Sequence, residues 1–146
     1  MRALLFSLAL LLAAAGDVAA AERITSFLSE VTIGADSVLT VKETIAVVAE
    51  GSEIKRGIQR DFPTRYKDSK GLNYVVGFDV LGVKRDGRDE PFTIMSIDNG
   101  KRIRIGSADV FLDYGPHVYE ITYQTTRQLG YFTDYDELYW NVTGSS

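Results

Sequence analysis

The chain contains no cysteine and one histidine, His117, in 146 residues. Without cysteine there are no disulfides, no thiol catalysis, no thiolate metal site and no lipoprotein acylation. With one histidine, multi-histidine metal sites are excluded within the chain. No Gly-x-Ser-x-Gly elbow and no phosphate-cradling glycine-rich loop occurs. Positive charge is not in excess. The formal net charge of −4 argues against a general nucleic-acid binder, which carries a basic face. After residue 21 there is no second long apolar run, so the remainder holds no apolar segment of the ~20 residues that a spanning helix needs.

What is present begins with an export signal. Arg2 gives a positive start, Ala3 to Ala15 is apolar except for Ser7, and Gly16-Asp17 breaks the run. Ala19-Ala20-Ala21 supplies the small residues of a cleavage site, placing the cut between Ala21 and Glu22. Residues 1–21 are therefore read as a helical signal peptide and residues 22–146 as one extracytoplasmic domain. Lacking disulfides, that domain must be held by packing alone, which its length allows.

The 16 aromatic residues and many Val, Ile and Thr favour strands. Phe27, Val31 and Ile33 share one phase, Gly34 to Ser37 is a turn, and Leu39, Val41, Ile45 and Val47 resume the period of two. This pattern predicts a hairpin with one buried face. Glu43 is the exception on the apolar side. Residues 50–70 break the alternation and read as a long charged connection. Leu72 to Arg85 reads as one strand, followed by an Asp86-Gly87 turn. Two further strands flank Asp98-Asn99-Gly100, where Asn-Gly suits positive φ. Val118 to Thr126 and Glu137 to Thr143 complete the series. The fold expected is all-β, an antiparallel β-sandwich of about seven to eight strands, with a barrel as the alternative.

Two segments concentrate chemistry. The first, Lys55 to Lys70, is basic. It reads as a solvated loop, or alternatively as a contact surface for anionic lipid, envelope polymer or a protein partner. Arg56 and Arg60 stand out because Ile54, Ile58 and Phe62 around them would dock and hold them still. The second packs Tyr131, Phe132, Tyr135, Tyr139 and Trp140 among Asp134, Asp136 and Glu137. These aromatics read foremost as core. The alternative is a polysaccharide-binding platform or a glycoside-cleaving pair of carboxylates. Asp134-x-Asp136 fails the EF-hand pattern, since Leu138 falls at a ligand position and Tyr139 at the required glycine, which leaves only an irregular calcium site. His117, after Gly115-Pro116, reads as a surface turn residue. Asn141-Val142-Thr143 matches a glycosylation sequon.

Arg56-Gly57-Ile58-x-Arg60-Asp61-Phe62-Pro63, followed by Asp136-Glu137-Leu138-Tyr139-Trp140-Asn141-Val142-Thr143-Gly144, resembles the N-terminal domain of the DUF2207 family of predicted bacterial membrane proteins. The resemblance covers Glu22 to Gly144. It implies a signal peptide, an extracytoplasmic β-rich domain, then transmembrane helices and a cytoplasmic low-complexity tail. It implies no activity. Family members continue beyond the equivalent of Gly144, so a fragment is expected, with membrane anchoring through a missing C-terminal segment and an open sheet edge or ragged end. The two strings also suggest an ion pair between Arg56 or Arg60 and Asp136 or Glu137. The binding residues singled out are Arg56, Arg60, Asp61, Asp136, Glu137, Tyr139 and Trp140. No catalytic residue, metal or cofactor is assigned, and the expected function is a non-catalytic binding or assembly module at the cell surface.

Overall fold

The structure is a computed structural model that describes residues 22–140. The signal peptide, the glycosylation sequon and the last six residues lie outside the described residues. The described chain is all strand and turn. The elements are β1 (Arg23–Ile33), β2 (Leu39–Ala49), β3 (Ile58–Pro63), β4 (Arg65–Lys67), β5 (Asn73–Val75), β6 (Phe78–Arg85), β7 (Arg88–Asp89), β8 (Phe92–Ile97), β9 (Gly100–Ile105), β10 (Gly115–Thr125), β11 (Leu129–Tyr131) and β12 (Asp136–Leu138).

A five-stranded sheet runs β1-β2-β10-β6-β7 and a three-stranded sheet runs β3-β9-β8, with the ribbons β4-β5 and β11-β12 beside them. Every pairing is antiparallel. The period-two pattern places Leu39, Val41, Ile45 and Val47 of β2 and Tyr119, Ile121 and Tyr123 of β10 on one inner face. Phe62 of β3 and Ile103 and Ile105 of β9 meet them from the other sheet. Burying both inner faces against each other makes the expected sandwich.

Residues 50–70 depart from expectation. Ile58, Arg60 and Phe62 alternate inward on β3 and pair with β9 from Ile58↔Ile105 to Pro63↔Gly100. The strand was hidden because an arginine occupies one of its inward positions. The segment 72–85 is two strands, not one. At Gly77 the chain leaves β4 for β10, and its N–H crosses to Thr126 Oγ1 at 3.0 Å. The 98–100 turn also differs, since neither Asn99 nor Gly100 has positive φ. Gly100 is required for close approach instead: a Cβ there would lie 1.9 Å from the Phe62 carbonyl oxygen. Asp86-Gly87 is the tight turn expected, with φ of 52° and 77°.

The start of β1 is tied down by a side chain. The Glu22 carboxylate accepts backbone N–H groups from Glu50 and Ser52 at 2.9 Å, from Ile54 at 3.2 Å and from Glu53. Partial burial raises its pKa, but the four N–H donors outweigh this and bring it down to about 2.

His117 lies inside β10 and is 8% exposed, which corrects its reading as a surface turn residue. Its Nδ1 is 2.7 Å from Asp86 Oδ2 and its Nε2 is 2.8 Å from the Asp113 carbonyl. Both ring nitrogens thus face acceptors, which only the imidazolium satisfies. Burial lowers the His117 pKa and Arg85 opposes the charge, yet Asp86 and Asp113 prevail and the net shift is upward from 6.5. A raised folded pKa gives stability that is complete below the unfolded value and lost as pH rises through the folded one. Urea unfolding is therefore expected to give a lower midpoint above pH ~8 than below pH ~6. In His117→Gln the part of that dependence lying upward from the histidine range should vanish.

Candidate functional site

The site grows from β3. Its inward Arg60 donates from Nε to Glu43 Oε2 at 2.8 Å and from Nη2 to Glu43 Oε1 at 2.9 Å. Tyr123 donates its hydroxyl to the same Oε1 at 3.1 Å. The Glu43 side chain is 1% exposed and that of Arg60 13%. The Arg60 guanidinium lies 4.8 Å from the Phe62 ring centroid and 5.2 Å from that of Phe27, so aromatic faces replace much of its lost hydration. Burial, followed by the adjacent Glu43 carboxylate, pushes the Tyr123 hydroxyl far above its usual pKa. It is a fixed donor at any ordinary pH.

One residue along, Asp61 points to the outer face, as strand alternation requires. Arg102, its register partner on β9, grips it through Nε at 2.6 Å and Nη2 at 2.7 Å. The hydrogen bond from Arg102 holds the Asp61 carboxyl below its ordinary range.

In front of Arg60 lies a cleft of about 300 Å³ whose walls include Arg60, Asp61, Tyr139 and Trp140. Phe62, Phe78 and Tyr123 form its back, with centroid separations of 4.6, 4.7 and 5.1 Å. Trp140 stacks on Tyr123 at 6.5 Å. The two sequence strings therefore line one cleft, bridged by Tyr123, whose ring meets both Phe62 and Trp140. The expected ion pair between them is not the contact: among the described residues, no ion pair joins Arg56 or Arg60 to Asp136 or Glu137. The carboxylate facing Arg60 is Glu43, the residue that broke the apolar phase of β2.

The remaining predicted residues lie elsewhere. Glu137, on β12, lines an adjoining groove of about 960 Å³. Asp136 is exposed opposite Tyr131. Arg56 sits over the Phe111 ring at 4.3 Å, beside a separate hollow of about 360 Å³. The aromatic segment is not core, apart from Trp140. Tyr131 is 63% and Tyr139 76% exposed, and Phe132 and Tyr135 stack on each other at the surface. They lie in or directly beside a short two-stranded ribbon, too small to cover large rings. Among the described residues no group of acidic and histidine side chains is arranged to hold a metal ion.

Residues 23–146 match the family model described as "Predicted membrane protein (DUF2207) N-terminal domain". The chain belongs to the DUF2207 family. It is 35% identical over 124 residues to "Uncharacterized protein YciQ" of Escherichia coli (strain K12), an alignment covering 85% of this chain and 20% of that protein. The chain thus spans about a fifth of the length of this DUF2207 relative. No solved structure matches. Within the DUF2207 domain, no helix of the described residues is long and apolar enough to cross a membrane.

Proposed function

We propose that this domain is a non-catalytic binding or assembly module, held on the extracytoplasmic side by a membrane-anchored protein, with the β3 cleft as its contact site. The observation that carries this reading is the state of the carboxylates. Among the described residues, Asp61 is the one acidic side chain lining the cleft, and Arg102 already engages both of its oxygens. Glycoside cleavage needs two carboxyl groups facing one bond at about 5–9.5 Å. Asp136 and Glu137 are neighbours on a strand, so their side chains point to opposite faces. The export signal read at residues 1–21 supports the location.

Two measurements test the reading. Alkaline phosphatase fused behind Ser146 is expected to be active, because its disulfides form only outside a reducing cytoplasm; a stable but inactive fusion overturns the location. Incubated with purified envelope polysaccharide, the exported protein should release no new reducing ends. Release that disappears in Glu137→Gln would replace the module by an enzyme.

A further inference from the structure

We propose that the cleft and the adjoining groove form one extended site for a neutral glycan strand. This rests on the binding-module reading and names its ligand. The two hollows adjoin, since Tyr66, Gln128 and Tyr139 line both. At about 300 and 960 Å³ they bracket the range of small-molecule sites. Joined end to end they suit an oligomer better than a single sugar unit.

The lining has the two chemistries that a pyranose presents. A sugar ring has an apolar C–H face and a rim of hydroxyls. For the face there are aromatic rings along both linings: Trp140 at the cleft, Tyr139 and Tyr66 at both hollows, Tyr66 stacked on Tyr74 at 5.6 Å, and Tyr131 at the groove. Such rings give large contact area at low conformational cost and keep a polar tip. Two are positioned by hydrogen bonds to the scaffold: Tyr66 donates to the Pro63 carbonyl at 3.0 Å, and the Tyr131 hydroxyl meets that of Ser37. For the rim there are neutral groups, Asn99 and Gln128 at the cleft and Ser37 and Ser69 at the groove.

Charge separates this ligand from the alternatives. Arg60, Arg65, Lys67 and Arg127 are balanced by Asp61, Asp36, Asp68 and Glu137 along the same lining. Arg60 and Asp61 are moreover engaged with Glu43 and Arg102. A balanced, partly engaged set produces no field to concentrate an anionic polymer or lipid surface, whereas a neutral chain needs none.

Trp140 is the only tryptophan of the chain and a wall of the cleft, so the emission of the full-length protein reports occupancy. The probes are neutral hexamers of β-1,4-linked N-acetylglucosamine, β-1,4-linked glucose and α-1,4-linked glucose, each with its dimer. Dextran sulfate and phosphatidylglycerol vesicles are the anionic arms. At least one hexamer is expected to give a saturable change, bound about tenfold or more tightly than its dimer. Its affinity should hold in ~0.5 M salt, where the Debye length is only a few ångströms. Tyr139→Ala and Tyr131→Ala, both exposed and outside the core, should each weaken it about tenfold. No saturable response to any hexamer overturns the proposal, as does wild-type affinity in Tyr131→Ala or affinity that collapses with salt. Binding of an anionic arm alone, lost in Tyr139→Ala, overturns the glycan and keeps the module. Hydrolysis of a bound hexamer does the reverse.

Discussion

Arg60→Leu is expected to lower the unfolding free energy by about 3–5 kcal/mol, read as a fall in the urea midpoint at unchanged slope. The cause is what stays behind. Glu43 is enclosed between the sheets and would retain, among the partners described above, one hydrogen bond from Tyr123. A buried carboxylate deprived of its guanidinium must either keep an uncompensated charge or take up a proton, and both are costly. Since domains of this kind have about 5–15 kcal/mol in hand, the variant should be near the limit of folding. Arg60→Lys should fall between, because an ammonium carries the charge but not the planar fork that meets both Glu43 oxygens. The double variant Arg60→Leu/Glu43→Leu separates a missing charge partner from a packing defect. Replacing a whole buried pair with apolar side chains is often neutral or better, so recovery of most of the lost stability is expected. A double variant no more stable than Arg60→Leu would show that shape, not charge, dominates here.

Gly57→Ala is expected to cost about 2–4 kcal/mol. Its φ is 144°, and an added Cβ would stand 1.7 Å from the Ile105 carbonyl oxygen. Gly106 mirrors it, with φ of 109° and a Cβ position 1.9 Å from the Arg56 carbonyl oxygen. The obstacles are backbone atoms, which cannot rotate away as a side chain would. The β3–β9 ladder therefore has glycine at both ends, Gly57 with Gly106 at one and Gly100 at the other, because the strands cross too closely there for any side chain. Gly82→Ala is the control. Nothing lies within 4 Å of its Cβ position and its φ is not positive, so a change within about 0.5 kcal/mol is expected. If Gly57→Ala is equally mild in urea unfolding, the close crossing at Gly57 is wrong.

The sandwich was legible because most of its strands bury one face and so alternate. β1, β2 and β10 can be read almost residue by residue. β3 could not, since period-two reasoning counts apolar side chains and one of its inward positions is Arg60. The same blindness hid the site: Glu43 registered as a flaw in β2, and Arg60 as part of a charged loop, when each is the explanation of the other. A carboxylate in the apolar phase of one strand and an arginine flanked by Ile58 and Phe62 in another is the signal that pairs them. That the two motif strings converge was readable from their unusual composition. How they are joined was not, because composition favours the charged members, whereas Phe62 and Trp140 are bridged by the Tyr123 ring of β10. The exposure of Tyr131 and Tyr139 was equally out of reach, since an aromatic residue in a sequence looks the same on a ribbon too small to bury it.

The Glu22 carboxylate gives the five-stranded sheet a second fastening. β1 is the marginal strand, and a hairpin partner is normally free to peel from its open end. Here one end of the hairpin is closed by the turn at Gly34–Val38 and the other by a clasp, Glu22 upon the amides that follow β2. Peeling would uncover an inner neighbour, β2, whose Leu39, Val41, Ile45 and Val47 are almost fully buried, and an uncovered strand of that kind recruits other chains. Because the folded pKa lies below the unfolded one, the clasp holds throughout neutral conditions and slackens as pH drops from 4.5 toward about 2. Acid is thus a condition under which this domain is expected to become adhesive to copies of itself, and a single side chain at the head of β1 stands against it.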